Sequence, residues 1–141
     1  MNSEVSIISK SPKETIDFGK ELVKTTRGGE VFALIGELGA GKTQIVKGAA
    51  LALGFQGEVT SPTFNLVHCY EGEKYSLFHV DLYRIEKGES SLYLYLEEIL
   101  YSGEVCFIEW PEKIEKWLPS WTQYWEITVI SENERKIKRL R

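Results

Sequence analysis

The chain is poor in the residues that build disulfide frameworks, zinc sites and membrane spans. Its 141 residues include two cysteines and two histidines, and no Cys/His cluster has the spacing of a zinc ligand set. Cys69 and Cys106 lie within apolar or aromatic runs, so we expect free core thiols of a reducing compartment rather than a disulfide. No apolar run approaches the roughly 20 residues of a membrane span, and the N-terminus lacks the apolar core of a signal peptide. These absences predict a cytoplasmic protein that does not contact a membrane.

An excess of positive charge is also missing. Seventeen Lys and Arg residues stand against 21 Asp and Glu residues, which gives a net charge of −4. A small domain that grips nucleic acid by itself is usually basic, so broad RNA or DNA binding is unfavoured. The length predicts one domain over residues 1–141, and the 43% of hydrophobic residues is enough for a sizeable core.

What the chain does contain is a glycine-rich phosphate motif. Residues 36–43 read GELGAGKT, which fits G-x-x-x-x-G-K-[ST], the phosphate-binding loop of nucleoside triphosphatases. An apolar run over 31–35 precedes it, as a buried parallel strand requires, and apolar residues at helical spacing follow from 42 to 53. A Rossmann interpretation fails because the glycines fall as G-x-x-G-x-G.

The residue types of this loop suit a polyphosphate. Glycines 36, 39 and 41 allow backbone dihedrals closed to other residues, so successive N–H groups can form an anion-binding nest at a helix N-terminus. Lys42 would reach the β- and γ-phosphates, and the Thr43 hydroxyl would ligate Mg²⁺. The predicted nucleotide-binding loop comprises Gly36, Glu37, Leu38, Gly39, Ala40, Gly41, Lys42, Thr43 and Gln44.

A phosphate loop needs a partner carboxylate at the tip of a neighbouring strand. Asp81 and Glu109 each follow an apolar run, at the point where the ligand crevice of an open α/β sheet should lie. Either acid could instead cap a strand end. His79 shares a strand face with Asp81, and a structural bond to Asp81 or to a loop carbonyl is favoured over a role in the chemistry.

Three further segments leave alternatives open. The loop Thr60, Ser61, Pro62 and Thr63 could sense a γ-phosphate, or it could be an ordinary polar loop. Trp110 directly follows Glu109, so it could close over the nucleotide or contact a partner. The basic tail over 135–141 fits an edge strand blunted by charge, or a basic patch for RNA or an acidic partner.

The remaining patterns complete an α/β fold, a P-loop NTPase-like sandwich whose mixed sheet has a parallel centre and antiparallel additions. A capping box with Ser11 and Pro12 starts a first helix, which ends near residue 24. We expect strands at 5–8, 31–35, 64–70, 75–81, 105–108, 124–130 and 134–140, and further helices at 42–53 and 90–101.

Taken together, four motifs resemble a known family. The chain resembles the bacterial ATPase of the tRNA threonylcarbamoyladenosine biosynthesis machinery. The motifs that carry the resemblance are residues 36–43, TSPTF at 60–64, HVDLYR at 79–84 and EWP at 109–111. The resemblance covers nearly the whole chain. It implies slow ATP hydrolysis with Mg²⁺ and docking on a complex of two related partner proteins. One partner transfers the threonylcarbamoyl group to adenosine 37 of tRNAs reading codons that begin with A, and the ATPase resets the complex.

The resemblance also implies roles for single residues. Lys42 would hold the phosphates, Thr43 and Glu109 would hold Mg²⁺, and Asp81 would lie in the metal and hydrolysis site. The loop over 60–64 would act as a switch. Trp110 would belong to the lip of the nucleotide site and Pro12 would lie near the adenine end, while tRNA would be met only through the complex. Two departures stand out: Gln44 replaces a second Thr or small residue, and residues 89–99 lack the family's Glu-Leu-x-x-Leu-Gly pattern.

Other phosphate-loop proteins fit the sequence less well. A small-molecule kinase usually needs an arginine-bearing lid, and residues 112–123 contain no arginine. A regulatory GTPase would carry an Asn-Lys-x-Asp motif, which is absent from the chain. A binding module without catalysis would not need the intact set of Lys42, Thr43, Asp81 and Glu109.

Overall fold

A computed structural model describes residues 5–59, 66–86 and 90–141, the side chains of residues 90 and 91 excepted. The expected switch loop, Thr60 to Thr63, therefore lies outside the described residues. The strands are β1 (Ser6–Ser9), β2 (Val31–Ile35), β3 (Val67–Tyr70), β4 (Leu77–Asp81), β5 (Val105–Glu109), β6 (Gln123–Val129) and β7 (Arg135–Arg139). The α-helices are α1 (Pro12–Val23), α2 (Lys42–Ala52) and α3 (Ser90–Leu100), and two short 3₁₀ turns cover Pro111–Lys113 and Glu115–Trp117.

The strands form one mixed sheet in the order β1-β7-β6-β2-β5-β4-β3. Its four central strands, β6, β2, β5 and β4, are parallel, whereas β1, β7 and β3 add to it in antiparallel fashion. This arrangement confirms the predicted fold class. The expectation of a basic edge strand is wrong, because β7 lies between β6 and β1 and both of its sides are paired.

Helices cover both faces of the sheet, which is why its central strands are apolar throughout. In β2, Phe32 and Leu34 belong to the core under α1 and α2, whereas Val31 belongs to the core on the α3 side. Such two-sided burial is typical of parallel strands in α/β proteins. Ser11 caps α1 by accepting the Glu14 N–H through its side chain, as the capping-box pattern predicted.

The fold corrects the prediction for one of the two cysteines. Cys106 is a buried free thiol, but Cys69 is exposed, because β3 is the last strand of the sheet and has a neighbour on one side only. The helix predicted at residues 90–101 is confirmed by α3. Within the described ranges, no helix is both long and apolar enough to cross a membrane.

Candidate functional site

The parallel strands deliver two carboxylates to one edge of the sheet. Asp81 is the last residue of β4 and Glu109 the last of β5, and the two residues are direct partners in the parallel register. Glu109 is also paired with Leu34, the last residue but one of β2, and the phosphate loop follows that strand directly. The ligand crevice of an open α/β sheet lies at this carboxyl end. The register therefore places both acids beside the phosphate loop.

The loop's glycines meet backbone requirements that other residues would not tolerate. Gly39 has φ 78° and Gly41 has φ 108°, both in the left-handed region. A Cβ on Gly36 would come within 2.8 Å of the Ile127 carbonyl oxygen, so the loop packs directly against β6. Helix α2 begins at Lys42, directly after Gly41, and its first N–H groups face the loop.

Lys42 is the central cation of the site. Its side chain is only 4% exposed, and its Nζ donates a 2.6 Å hydrogen bond to the Gly36 carbonyl. The same Nζ lies 3.6 Å from Glu109 Oε1 and 4.4 Å from the centre of the Trp110 ring. The ammonium is thus held by one carbonyl, one carboxylate and one aromatic face.

Glu109 is held on both of its oxygens. Its Oε2 lies 2.5 Å from His79 Nε2, while Oε1 faces Lys42. His79 is fully buried, and its Nδ1 has no hydrogen-bond partner among the described residues. The predicted bond from His79 to Asp81 or to a loop carbonyl is not found, and His79 instead bonds Glu109 on the neighbouring strand.

Asp81 is the less constrained of the two acids. Its Oδ1 accepts the Tyr83 N–H at 2.9 Å, a local turn that orients the carboxyl group. Burial raises the pKa of Asp81, the Tyr83 N–H bond opposes the rise, and the nearby charge of Glu109 adds to it. Among the described residues, Asp81 Oδ2 makes no hydrogen bond or ion pair, so this side of Asp81 is available to a ligand.

A cavity of about 400 Å³, hereafter the first cavity, opens in front of the loop. Among the predicted site residues, its lining includes Pro12, Leu38, Gly39, Gly41, Lys42, Thr43, Gln44, Asp81 and Glu109. Sequence reasoning missed four other lining residues, namely Thr15, Glu132, Asn133 and Arg135. The volume lies within the usual range of small-molecule sites.

Arg135 fixes the turn between β6 and β7 to the phosphate loop. Its Nε donates to the Ala40 carbonyl at 2.9 Å, and one terminal nitrogen donates to carbonyls of residues 131, 132 and 134. This turn and the start of α1 line the first cavity together with Asp81 and Glu109. The sequence carried no signal for Arg135 beyond its place in the basic tail.

Four predicted site residues line a different depression. Gly36, Glu37, Ala40 and Trp110 line a second groove of about 430 Å³, together with Leu34, Ile35, Glu112, Glu126, Ile127, Thr128 and Val129. Among the described residues other than glycine, Trp110 alone has a left-handed backbone conformation, with φ 60°. Its ring stands between the second groove and the Lys42 ammonium.

The donor set suits a hard cation that keeps several other ligands. Thr43, Asp81 and Glu109 offer hydroxyl and carboxylate oxygens, which Mg²⁺ prefers, and no sulfur. Among the described residues, no group of three or more His, Cys, Asp or Glu side chains is placed to hold a metal alone. These residues fit Mg²⁺ only if phosphate oxygens and waters complete its octahedron.

Comparison with known proteins gives consistent matches. The family model described as "Threonylcarbamoyl adenosine biosynthesis protein TsaE" matches residues 9–139. The TsaE protein of Treponema pallidum is 38% identical over 130 residues, which cover 92% of this chain and 96% of that protein. The TsaE protein of Bacillus subtilis is 37% identical over 127 residues, covering 90% and 79% of the two chains. The crystal structure of Bacillus subtilis YdiB has a TM-score of 0.82 at 31% identity, covering 99% of this chain and 86% of that chain.

The matched range includes both strand-tip acids, the phosphate loop and the turn fixed by Arg135, so the whole candidate site lies inside it. Two curated relatives that match over nine tenths of the chain carry the same description, which names tRNA threonylcarbamoyladenosine biosynthesis. The chain therefore belongs to the TsaE family of tRNA threonylcarbamoyladenosine biosynthesis proteins.

Proposed function

We propose that this protein is a Mg²⁺-dependent ATPase that binds ATP in the first cavity and hydrolyses it slowly. The observation that carries the proposal is the position of Lys42, whose Nζ lies within the phosphate loop and 3.6 Å from Glu109. A buried ammonium at the start of a helix, next to a glycine nest and two carboxylates, is the arrangement that phosphoryl transfer requires.

Lys42 would exchange partners when ATP binds. In the structure, Lys42 is paired with Glu109 and donates a hydrogen bond to the Gly36 carbonyl. Phosphate oxygens would replace the Gly36 carbonyl, and the N–H groups at the start of α2 would bind the same phosphates. The nucleoside would extend toward Pro12, where α1 faces the β6–β7 turn. Trp110 would cover the ammonium from the other side and limit access of water to it.

The two acids would divide the remaining work. When bound, Mg²⁺ neutralises charge on the β- and γ-phosphate oxygens. Thr43 and Glu109 would hold it, with Glu109 kept in place by His79. The uncommitted Oδ2 of Asp81 faces the same region and would contact the metal or orient the attacking water. The raised pKa of Asp81 suits a group that accepts a hydrogen bond from that water.

The reaction would serve an assembly rather than a small-molecule acceptor. We propose that the protein docks on two related partner subunits, one of which transfers threonylcarbamoyl to adenosine 37, and that ATP hydrolysis resets this complex between turnovers. tRNA would be met only through the complex, which agrees with the net charge of −4. A cytoplasmic location belongs to the same proposal, because tRNA is modified there.

The test is release of inorganic phosphate from ATP, with the partner subunits present and no acceptor added. Lys42→Ala should weaken ATP binding about 100-fold or more, because charge-assisted bonds worth about 1.5–3 kcal/mol each are lost. Lys47→Ala is the matched control, since Lys47 lies on the exposed side of the same helix. The proposal fails if Lys42→Ala hydrolyses ATP as fast as Lys47→Ala while both variants are folded.

A further inference from the structure

The second groove has a chemistry of its own. Its floor is apolar, formed by Ile35, Ile127 and Val129, and the last of these is 47% exposed. Its wall is the Trp110 ring. Three glutamates, at positions 37, 112 and 126, belong to the lining, whereas no Lys or Arg among the described residues does. An apolar floor with acidic groups around it fits a ligand that is both apolar and basic.

The acidic charge of the second groove is only partly compensated. Lys138 is the partner of Glu126 in the register of β6 and β7. Neither Glu37 nor Glu112 makes an ion pair with another described residue. Their negative potential attracts Lys and Arg side chains and repels the phosphates of RNA. The charge therefore favours a protein segment over a nucleic acid.

One wall of the groove is an open strand edge. β6 pairs with β2 only as far as Glu126, opposite Ile35. β2 then leaves for the phosphate loop, whereas β6 continues to Val129 and is paired with β7 alone. Tyr124 exchanges its backbone bonds with the β7 side, so by alternation Ile127 and Val129 turn theirs to the β2 side. The pairing of Ile35 with Glu126 uses the Ile127 N–H, and the Ile127 carbonyl oxygen packs against Gly36, so Val129 is the open position of this edge. Such an edge is a template for an added strand.

We propose that the second groove is the docking site for an extended, basic segment of a partner protein. The segment lies along the apolar floor, pairs with the edge of β6 beyond Ile127, and places Lys or Arg side chains at Glu37 and Glu112. This inference rests on the proposed function, because it requires that the chain work within a protein assembly. Since Gly36, Glu37 and Trp110 belong to both the groove and the phosphate-loop region, the docked segment touches the backbone that binds phosphate.

The first test reverses the charge of the groove without changing the phosphate loop. Glu112→Lys combined with Thr128→Lys adds three positive charges to the lining. Glu71→Lys combined with Glu73→Gln adds the same charge at the exposed β3–β4 turn and serves as the control. Binding to the purified pair of partner subunits is measured by biolayer interferometry at two salt concentrations.

The groove variant should bind the partner subunits about tenfold or more weakly, with a flatter salt dependence, and the control should bind like the wild type. Calorimetry of ATP binding is run on the same samples, and both variants should retain the wild-type affinity. If the groove variant binds the subunits as tightly as the control, the docking proposal is overturned. If wild-type protein binds the subunits but not ATP, the proposed function fails while the docking result still stands.

The second test does not depend on the folding of a charge-reversal variant. Thr128→Cys is made in a Cys69→Ser background and labelled with benzophenone maleimide. Cys106 stays unlabelled, because it is buried and burial raises its pKa to about 12. Crosslinks should map to an extended partner segment with at least two Lys or Arg residues. Crosslinks to tRNA or to an acidic segment would overturn the proposal. A crosslinking yield no higher than that of Glu71→Cys, labelled in the same way, would also overturn it.

Discussion

Glu109→Gln should separate two proposed roles of this carboxylate, which are to pair with Lys42 and to hold Mg²⁺. The substitution keeps the shape of the side chain and removes its charge. Glu109 Oε1 lies 3.6 Å from the Lys42 ammonium, so a phosphate that binds there must compete with this carboxylate. At an effective dielectric of about 20, that attraction is about 5 kcal/mol. Desolvation of the buried pair offsets most of it, which leaves a net competition of about 1–2 kcal/mol. Without Mg²⁺, the variant should therefore bind ATP about 5–30 times more tightly than the wild type.

With Mg²⁺ present, the same substitution should act in the opposite direction. A metal ligand is lost, so added Mg²⁺ should enhance binding less than in the wild type, and hydrolysis should fall by about 100-fold. Isothermal titration calorimetry in EDTA and then in Mg²⁺ measures both effects, with Glu112→Gln as the control of equal charge change. Weaker binding of ATP in EDTA by Glu109→Gln would refute the idea that Glu109 and phosphate compete for one ammonium.

Two further predictions concern stability. The pKa of Asp81 is raised from its ordinary value of 3.8, first by burial, so the folded state prefers the protonated form and the carboxylate costs stability as pH rises above about 4. Asp81→Asn removes the ionisable group and keeps the oxygen that accepts the Tyr83 N–H. The melting temperature of this variant, relative to wild type, should therefore increase from pH 3 to pH 7, and hydrolysis should be lost. A difference in melting temperature that does not change with pH would contradict this prediction. Gly48→Ala places a Cβ 1.8 Å from the Ile16 carbonyl oxygen, where α1 and α2 touch. Chemical denaturation should show a loss of about 1–3 kcal/mol or more, and an unchanged midpoint would mean that the helices separate easily.

The sequence predicted those parts of the structure that depend on local signals. The phosphate loop was found because its glycines, Lys42 and Thr43 are contiguous, and the start of α1 because Ser11 and Glu14 form a local cap. The strand-tip acids were found because each ends an apolar run. In all these cases one stretch of chain contains the whole signal.

What the sequence did not reveal depends on contacts between distant segments. The bond from His79 to Glu109 exists because β4 and β5 are parallel neighbours in one particular register, which no local pattern specifies. Arg135 reaches Ala40 across 95 positions of sequence, and it does so because β7 turns back beside the loop. The exposure of Cys69 likewise follows from the place of β3 in the sheet, not from the residues around it.

The close packing of α1 on α2 was also hidden. A Cβ on Gly19 would lie 2.0 Å from the Ile45 carbonyl oxygen, and a Cβ on Gly48 would lie 1.8 Å from the Ile16 carbonyl oxygen. Inside a helix, such a glycine costs stability relative to alanine, so in sequence it only weakens the helical pattern. In the structure these two glycines let the helices approach, which brings the start of α1 to the first cavity.

The central claim is that the phosphate loop and Lys42 bind the polyphosphate of ATP. Titration of MgATP into the folded protein, with its partner subunits supplied, tests it most directly by calorimetry. We predict saturable binding of one nucleotide per chain, which disappears in Lys42→Ala and persists in Lys47→Ala. No binding heat from wild-type protein at several temperatures, with folding verified in the same sample, would contradict the account.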